Sequence, residues 1–207
     1  MIKLAILGAS GHGKVIADTA LQAGWAQVVF FDDAWPEVAE NGSWSVVGDS
    51  SSLFDRLSEF DGVVVGIGNN RVRLEKTRAL QSKGAKLTTI IHPRAAVSDS
   101  VKIGAGSVIL AGSVIQVDSE LGVACIVNTS ASIDHDCFLG DGVHVCPGAA
   151  VAGSVRVGEG SWIGIGSSIK QLVKIGYGVT VGAGAAVIRD VQDDQVVVGV
   201  PAAPVTQ

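Results

Sequence analysis

The sequence has few of the residues that define several common protein classes. Only 5% of its 207 residues are aromatic, 17% are charged, and three are cysteine. Three cysteines are too few for a disulfide scaffold, and a 47% hydrophobic share is too high for a disordered chain. The 27 glycines follow no three-residue period, which excludes a collagen.

Other absences bear on where the protein works and what it binds. No apolar run approaches the ~18 residues of a membrane span, and no charged-then-apolar leader opens the chain. The net charge of −5 argues against nucleic acid as the main partner. We therefore expect a cytoplasmic protein that binds neither membrane nor nucleic acid.

The composition changes sharply at about Pro93. Residues 1–94 hold seven of the ten aromatic side chains and carry equal numbers of acidic and basic residues. Residues 95–207 hold 17 of the 27 glycines and the whole excess of negative charge. A shift of this kind is typical of a domain boundary, so the sequence predicts two domains, 1–94 and 95–207.

The second part repeats every six residues. Sixteen successive positions, each six after the last, are all aliphatic: Val97, Ile103, Ile109, Ile115, Leu121, Val127, Ile133, Leu139, Val145, Val151, Val157, Ile163, Ile169, Ile175, Val181 and Val187. The residue two before each is always Ala, Ser, Cys or Val, so Cys125 and Cys137 are expected in a core that admits only small side chains. A strict period of six is the signature of a parallel β-helix, in which we expect glycine to permit the tight turns through positive φ.

The first part alternates short apolar runs with helical patterns. Strands are predicted at 2–7, 28–31, 63–67 and 87–91, helices at 14–23 and near 71–82, and an irregular loop at 34–52. Strands alternating with helices favour a small parallel α/β sheet.

The glycine-rich turn after the first strand is the most informative motif of this part. Gly8 and Gly13 have the spacing of a phosphate-binding loop, but Val15 stands where a magnesium-binding Ser or Thr is needed. The glycine order also departs from the dinucleotide fingerprint, which makes a nicotinamide-dependent oxidoreductase the weakest alternative. The turn either serves only structure or holds an anion at the helix N-terminus, and His12 within it favours the second interpretation.

Polar residues follow the other predicted strands. Asp32 and Asp33 end the second strand, and Gly68 and Asn69 follow the third. Each alone is more simply a cap or a turn. Because ligands of parallel sheets bind at the carboxyl ends of strands, together they favour a nucleotide-type pocket.

Two histidines stand out in the repeat. His135 is flanked by acidic residues, and His144 directly precedes an inward aliphatic position. Both side chains should therefore point outward from the narrow prism that the coils of the β-helix form. An outward histidine is usually a solvated surface residue, but a carboxylate beside an imidazole also forms a base with its orienting partner. The paired histidines of zinc-binding β-helices are missing, so no metal is expected. Trp162 can be either a cofactor contact or a surface aromatic.

The chain resembles the left-handed β-helix acyltransferases of the hexapeptide-repeat superfamily in three features: the six-residue repeats (hexads), residues 128–136 and the closing residues 198–202. Within that superfamily, the first part of the chain resembles the bacterial PglD/NeuD-like group. The resemblance lies in the turn 8–13, the Asp32–Asp33 pair and residues 66–70. The resemblance covers nearly the whole chain. It implies a Rossmann-like parallel-sheet domain followed by a left-handed parallel β-helix, assembled as a homotrimer. It also implies acetyl transfer from acetyl-CoA to a nucleotide-linked 4-amino-4,6-dideoxy sugar.

The resemblance also assigns roles to individual residues. His135 would be the general base and Asp136 its acidic partner. The acetyl-CoA groove would be formed by His144, Gly153, Ile165 and Ala183, with the Gly153 backbone stabilising the oxyanion. The sugar-nucleotide would be held by Ser10, Gly11, His12, Asp32, Asp33 and Gly68.

Two alternatives remain open at this point. The acceptor can be a hydroxyl group of sialic acid or a related sugar, because an amine and a hydroxyl can use the same base. The protein can also be a β-helix that binds nucleotide-sugar without catalysis, although a scaffold has no use for the His135–Asp136 pair. The sequence does not distinguish a UDP-, GDP- or CMP-linked sugar.

Overall fold

The computed structural model describes residues 2–205, which divide into one unit ending at Pro93 and a second beginning at Arg94. Within this described range no helix is long and apolar enough to cross a membrane.

The first unit is built on a three-stranded parallel sheet. Its elements are β1 (Lys3–Leu7), α1 (Gly11–Gln22), β2 (Gln27–Phe31), β3 (Glu40–Asn41), β4 (Trp44–Ser45), α2 (Ser50–Asp55), a 3-10 turn (Leu57–Glu59), β5 (Gly62–Val65), α3 (Asn70–Ser82) and β6 (Ile90–Ile91). The sheet has the order β2-β1-β5, with both neighbours parallel to β1. The predicted α/β class of this unit is confirmed.

Two predictions for this unit need correction. The expected loop 34–52 contains the antiparallel hairpin β3–β4 and the first residues of α2. Asp49 starts that helix by accepting a hydrogen bond from the Ser52 N–H at 2.7 Å, but six residues are too few to show a helical period. The expected strand 87–91 is reduced to β6 and a single parallel bridge between Val63 and Leu87.

Three glycines let α1 lie close to the ends of the strands. A Cβ atom on Gly13 would overlap the Gly8 carbonyl oxygen, and one on Gly66 would lie 3.0 Å from that oxygen and from the Gly13 Cα. These contacts involve backbone atoms, which cannot move aside. The glycine turn is therefore required by packing before any ligand is considered.

The second unit is a parallel β-helix of very short strands. Its strands are β7 (Ala96–Val97), β8 (Lys102–Ile103), β9 (Val108–Ile109), β10 (Val114–Ile115), β11 (Glu120–Leu121), β12 (Ile126–Val127), β13 (Ser132–Ile133), β14 (Phe138–Leu139), β15 (His144–Val145), β16 (Ala150–Val151), β17 (Arg156–Val157), β18 (Trp162–Ile163), β19 (Ser168–Ile169), β20 (Lys174–Ile175), β21 (Thr180–Val181), β22 (Ala186–Val187), β23 (Val196–Val198) and β24 (Ala203–Pro204). Each strand from β7 to β22 ends at one of the sixteen aliphatic positions, which confirms the predicted repeat.

Stacking of the coils explains the period. Each strand from β7 to β19 pairs in parallel with the strand 18 residues later, as Val114 does with Ser132 and Ile115 with Ile133. Three hexads thus make one coil. The aliphatic side chains are buried everywhere except in the first coil, where Val97 and Ile103 are half-buried. Each buried aliphatic side chain contributes ~1.5–3 kcal/mol, so stability is supplied by the stack and not by one hexad.

Glycine serves two different purposes in this stack, whereas the sequence suggested one. The glycines directly after the aliphatic position do not have positive φ. A Cβ on Gly140 would lie 2.7 Å from the Glu159 nitrogen of the next coil, so this corner admits no side chain. Positive φ occurs two residues further on. That position is glycine in some hexads, such as Gly142, and another residue in others, such as Asp136 (φ 59°) and Leu172 (φ 67°).

Candidate active site

The acidic partner of His135 is its sequence neighbour. The two side chains follow β13 at a corner of the helix, and the His135 Nδ1 lies 2.7 Å from the Asp136 Oδ2. A carboxylate accepts hydrogen bonds, so Nδ1 is the donor of this pair and Nε2 is the ring nitrogen that does not contact Asp136. The side chains of His135 and Asp136 are 59% and 58% exposed, so the pair lies at the surface of the β-helix.

The backbone of Asp136 fixes this pair. Its φ of 59° lies in the left-handed region, which Asp tolerates better than most residues. Its N–H donates to the Val117 carbonyl of the preceding coil at 3.1 Å. The backbone that carries the carboxylate is thus held by a hydrogen bond between successive coils of the β-helix.

Gly153 lies against the opposite edge of the imidazole. A Cβ atom there would come within 2.6 Å of the His135 Nε2 and 2.7 Å of Cε1. His135 and Gly153 line one side of a surface pocket of about 450 Å³. The whole pocket is lined by Asp134, His135, Ala152, Gly153, Ser154, Gln171 and Leu172.

A second pocket of about 440 Å³ is lined by residues of four successive coils of the β-helix. It contains three of the four residues predicted for the cofactor, namely His144, Ile165 and Ala183. The remaining lining residues are Asn128, Cys146, Pro147, Trp162, Gly164, Thr180, Val181 and Gly182. The fourth predicted residue, Gly153, lies in the first pocket.

His144 lies outside the prism but is not the solvated residue that an outward position usually implies. Its side chain is only 5% exposed, because the parallel register places Trp162 of the next coil beside it. The two rings make an edge contact with centroids 4.3 Å apart, and the His144 Nε2 lies 3.0 Å from the Asn128 Nδ2. Asn128 and Trp162 therefore fix the ring of His144.

The 18-residue spacing is the signal that would have identified further lining residues. Ile165 and Ala183 differ by 18 and stand in one column along the coils, and Pro147 begins that column. The sequence alone left Trp162 undecided between a cofactor contact and a surface aromatic, and Pro147 carried no signal of its own.

The glycine turn in the first unit places Ser10 directly before α1. The Ser10 hydroxyl donates to the Gly66 carbonyl at 3.2 Å, so it does not cap the helix. The helix starts at Gly11, and its first N–H groups have no acceptor within the helix itself. An anion is favoured at such an N-terminus.

His12 lies in the first turn of α1 and is largely buried. Burial, together with the positive charge of Arg73, lowers the pKa of His12 to about 4, so its ring is neutral at neutral pH. The Arg73 guanidinium is buried too and donates to the Gly68 carbonyl at 3.0 Å and to the Asn70 Oδ1 at 2.9 Å. Arg73 thus holds the predicted Gly68 turn. The role of Arg73 could not be predicted from the sequence, because the residue lies in a helix with many charged side chains.

Asp32 and Asp33 lie at the carboxyl end of β2, as predicted, but both bond within the unit. The Asp32 carboxylate accepts from the N–H groups of Ala9 at 2.7 Å and Ala34 at 2.9 Å. Asp33 accepts from Lys76 Nζ at 2.6 Å and from the Ser50 N–H at 2.9 Å. Partial burial opposes ionisation, but these hydrogen bonds outweigh it and lower the pKa of Asp33 to about 2. Asp32 therefore braces the glycine turn, and Asp33 links β2 to α2 and α3.

The cysteines and acidic residues do not form a recognisable metal centre. Within residues 2–205, no three His, Cys, Asp or Glu side chains are placed to hold a metal ion. Cys125 and Cys137 are buried as expected, with sulfur atoms 3.2 Å from the carbonyl oxygens of Gly140 and Ala152.

Comparison with known sequences gives two matches to parts of the chain. Residues 3–80 match the family described as the PglD N-terminal domain. A 120-residue stretch is 38% identical to the UDP-N-acetylbacillosamine N-acetyltransferase of Bacillus subtilis (strain 168). That stretch covers 54% of this chain and only about half (52%) of the curated relative.

Comparison with solved structures covers nearly the whole chain. The acetyltransferase domain of PglB from Neisseria gonorrhoeae FA1090, in complex with acetyl coenzyme A, is 43% identical with a TM-score of 0.94 over 98% of both chains. PerB from Caulobacter crescentus, in complex with CoA and GDP-perosamine, is 37% identical with a TM-score of 0.93 over 99% of this chain and 97% of that one.

Proposed function

Because the chain belongs to the PglD-like family of sugar acetyltransferases, we propose that it transfers the acetyl group of acetyl-CoA to the amino group of a nucleotide-linked 4-amino-4,6-dideoxy sugar. The observation that carries the proposal is the 2.7 Å contact between His135 and Asp136 at the rim of an open pocket. The relatives' names support it, since they include an N-acetyltransferase and a protein bound to a nucleotide-linked amino sugar.

His135 acts as the general base in this mechanism. The amine nitrogen attacks the thioester carbon, a proton passes from nitrogen to the His135 Nε2, and the carbon–sulfur bond breaks. The proton then leaves with the CoA thiolate as the free thiol, which balances the reaction without a covalent enzyme intermediate. Asp136 keeps Nδ1 protonated and so directs the basic lone pair toward the pocket. A positioned base of this kind contributes ~10²–10⁴ in rate.

Gly153 is the proposed oxyanion donor. Its carbonyl accepts from the Leu172 N–H at 3.1 Å, while its own N–H donates to no other residue of the described range. The Cα of Gly153 faces the imidazole at which the amine is deprotonated, since a Cβ built there would contact the ring. A donor fixed beside the base stabilises the negative charge that develops on the thioester oxygen.

The second pocket is the proposed site of the CoA moiety. Trp162 and His144 give it a rigid aromatic floor, and Ile165 and Ala183 are exposed along it. Apolar side chains along one column suit the long, partly apolar arm of CoA. The structures of relatives bound to acetyl-CoA or CoA support this use.

The first unit is the proposed site of the sugar-nucleotide. Gly11 and His12 offer the N–H groups of the α1 N-terminus to a phosphate, with the Ser10 hydroxyl beside them. The neutral ring of His12 can donate or accept toward a sugar hydroxyl. Asp32, Asp33 and Gly68 shape the surrounding turns, and the oxygens of the two carboxylates can in addition accept from a base.

We place the reaction in the cytoplasm, where acetyl-CoA is available, and propose that the protein assembles as a homotrimer. One face of the β-helix supports close approach of a second copy, because its side chains are all small: Ala96, Val114, Ser132, Ala150, Ser168 and Ala186. Light scattering coupled to size-exclusion chromatography measures the mass directly.

Release of free thiol from acetyl-CoA tests the activity. We expect release with UDP- or GDP-linked 4-amino sugars and a kcat lower by ~10²–10⁴ in His135→Ala. Asp136→Asn keeps the left-handed backbone but loses the charge, and should lower kcat by up to ~10² at unchanged Tm. Asp118→Asn, at the same corner with φ 58°, is the matched control and should retain full activity. Near-normal turnover in His135→Ala would contradict the assignment of His135 as the general base.

A further inference from the structure

Leu172 combines two unfavourable properties. Its φ of 67° lies in the left-handed region, where a Leu side chain is strained, and the residue is 71% exposed to solvent. The other residues that share this corner conformation are mostly glycine or short polar residues such as Asp118 and Ser154. Neither burial nor backbone geometry explains a leucine here.

The position of Leu172 relates it to the proposed base. Its N–H donates to the Gly153 carbonyl at 3.1 Å, and Gly153 in turn lies against the His135 Nε2. Leu172 is the largest apolar side chain lining the pocket that contains His135. The other large side chains of that pocket, Asp134, His135 and Gln171, are polar.

We propose that Leu172 selects the acceptor by contacting the methyl carbon C6 of a 6-deoxy sugar. This inference rests on the proposed function. In a 4-amino-4,6-dideoxy sugar the amino group is on C4 and the methyl group is on the adjacent C5. When the amine lies at the His135 Nε2, the methyl group falls within the same pocket. A 6-hydroxy sugar would place a hydroxyl against Leu172 and leave it without a hydrogen-bond partner there.

Binding and turnover of matched sugars test this role. The probes are UDP- and GDP-linked 4-amino-4,6-dideoxyhexoses and their 6-hydroxy counterparts, with Kd measured by calorimetry and kcat/KM by thiol release. We expect the wild type to prefer the 6-deoxy sugar by at least tenfold, the lower end of the discrimination that one apolar group supplies. Leu172→Asn, which tolerates the left-handed backbone and is polar, should bring that ratio close to one.

Glycine variants separate specificity from folding. Leu172→Gly should melt at the same or a higher temperature than the wild type, since it relieves the strained backbone, and should still lose the 6-deoxy preference. Asp118→Gly is the matched control, because it relieves a left-handed position outside the pocket. It should keep the wild-type preference.

Each contrary outcome has a distinct meaning. An unchanged 6-deoxy to 6-hydroxy ratio in Leu172→Asn overturns the inference, even if the enzyme is an active N-acetyltransferase. Loss of oligomer mass in that variant overturns it as well, since Leu172 would then be a subunit contact. A shifted ratio of propionyl-CoA to acetyl-CoA, with the sugar ratio constant, assigns the contact to the acyl group and refutes it. If the wild type acetylates only hydroxyl acceptors, the proposed function fails, while the Kd ratio still tests Leu172.

Discussion

The contact between Gly153 and His135 makes a specific prediction for Gly153→Ala. The added Cβ would lie 2.6 Å from the His135 Nε2, whereas an ordinary contact needs at least 3.4 Å. The imidazole must therefore move by roughly 0.8 Å. The ring is tied to Asp136 by a 2.7 Å hydrogen bond, so such a movement either stretches that bond or turns Nε2 away from the pocket.

The expected loss follows from the size of this displacement. A misplacement of about 1 Å in a reacting group costs ~10² in rate, which corresponds to about 2.7 kcal/mol of transition-state stabilisation. Folding should be little affected, because Gly153 does not have positive φ and the atoms that must move belong to an exposed side chain. We expect kcat lower by ~10² with Tm within about 2 °C of the wild type.

A double-mutant cycle isolates the cause. Gly153→Ala and His135→Ala are assayed alone and together by thiol release. If alanine acts only by displacing the imidazole, it has no further effect once His135 is absent, and the two losses are not additive. Additive losses would show that the methyl group blocks a substrate or the oxyanion donor instead. Full activity of Gly153→Ala with an intact fold would refute the reasoning altogether.

Two further predictions concern stability. The pKa of His12 is about 4 in the folded protein, against an ordinary 6.5. Between these two pH values the unfolded state binds more protons than the folded state. The free energy of unfolding should therefore fall by up to about 3 kcal/mol as the pH drops from 6.5 to 4. Urea unfolding of His12→Asn should lose that pH slope, and an unchanged slope would contradict the assignment. Gly140→Ala should destabilise the β-helix by ~1–3 kcal/mol, because its Cβ would meet the Glu159 backbone, whereas Gly148→Ala, with φ 64° and open space, should cost about 1 kcal/mol. Equal unfolding midpoints for the two variants would count against the packing explanation.

The β-helix could be predicted almost residue by residue, because one physical requirement repeats sixteen times. Every group of six residues must place an aliphatic side chain inward at the end of its strand, so a single period predicts the whole unit. The first unit gave weaker signals. The hairpin β3–β4 and the helix α2 are too short for periodicity, and they are held by contacts with distant residues, such as the bond from Ser50 to Asp33.

The candidate site was predictable where its residues are neighbours in sequence. His135 and Asp136 are adjacent, so their pairing needed no knowledge of the fold. Buried Arg73 could not be recognised, because the sequence shows only one more basic residue on a charged helix. The cover of His144 by Trp162 required the 18-residue register, which relates residues of successive coils.

The coil of 18 residues also constrains how this protein can change in evolution. Gain or loss of one whole coil outside the stretch 128–183, which contains the lining residues of both pockets, leaves those residues in register, so the length of the helix can vary without altering the pockets. An insertion of a single residue between His135 and Gly153 would instead shift every later side chain by one position and separate the proposed base from the proposed oxyanion donor. The same periodicity that allows the scaffold to gain or lose whole coils therefore makes the site intolerant of small insertions.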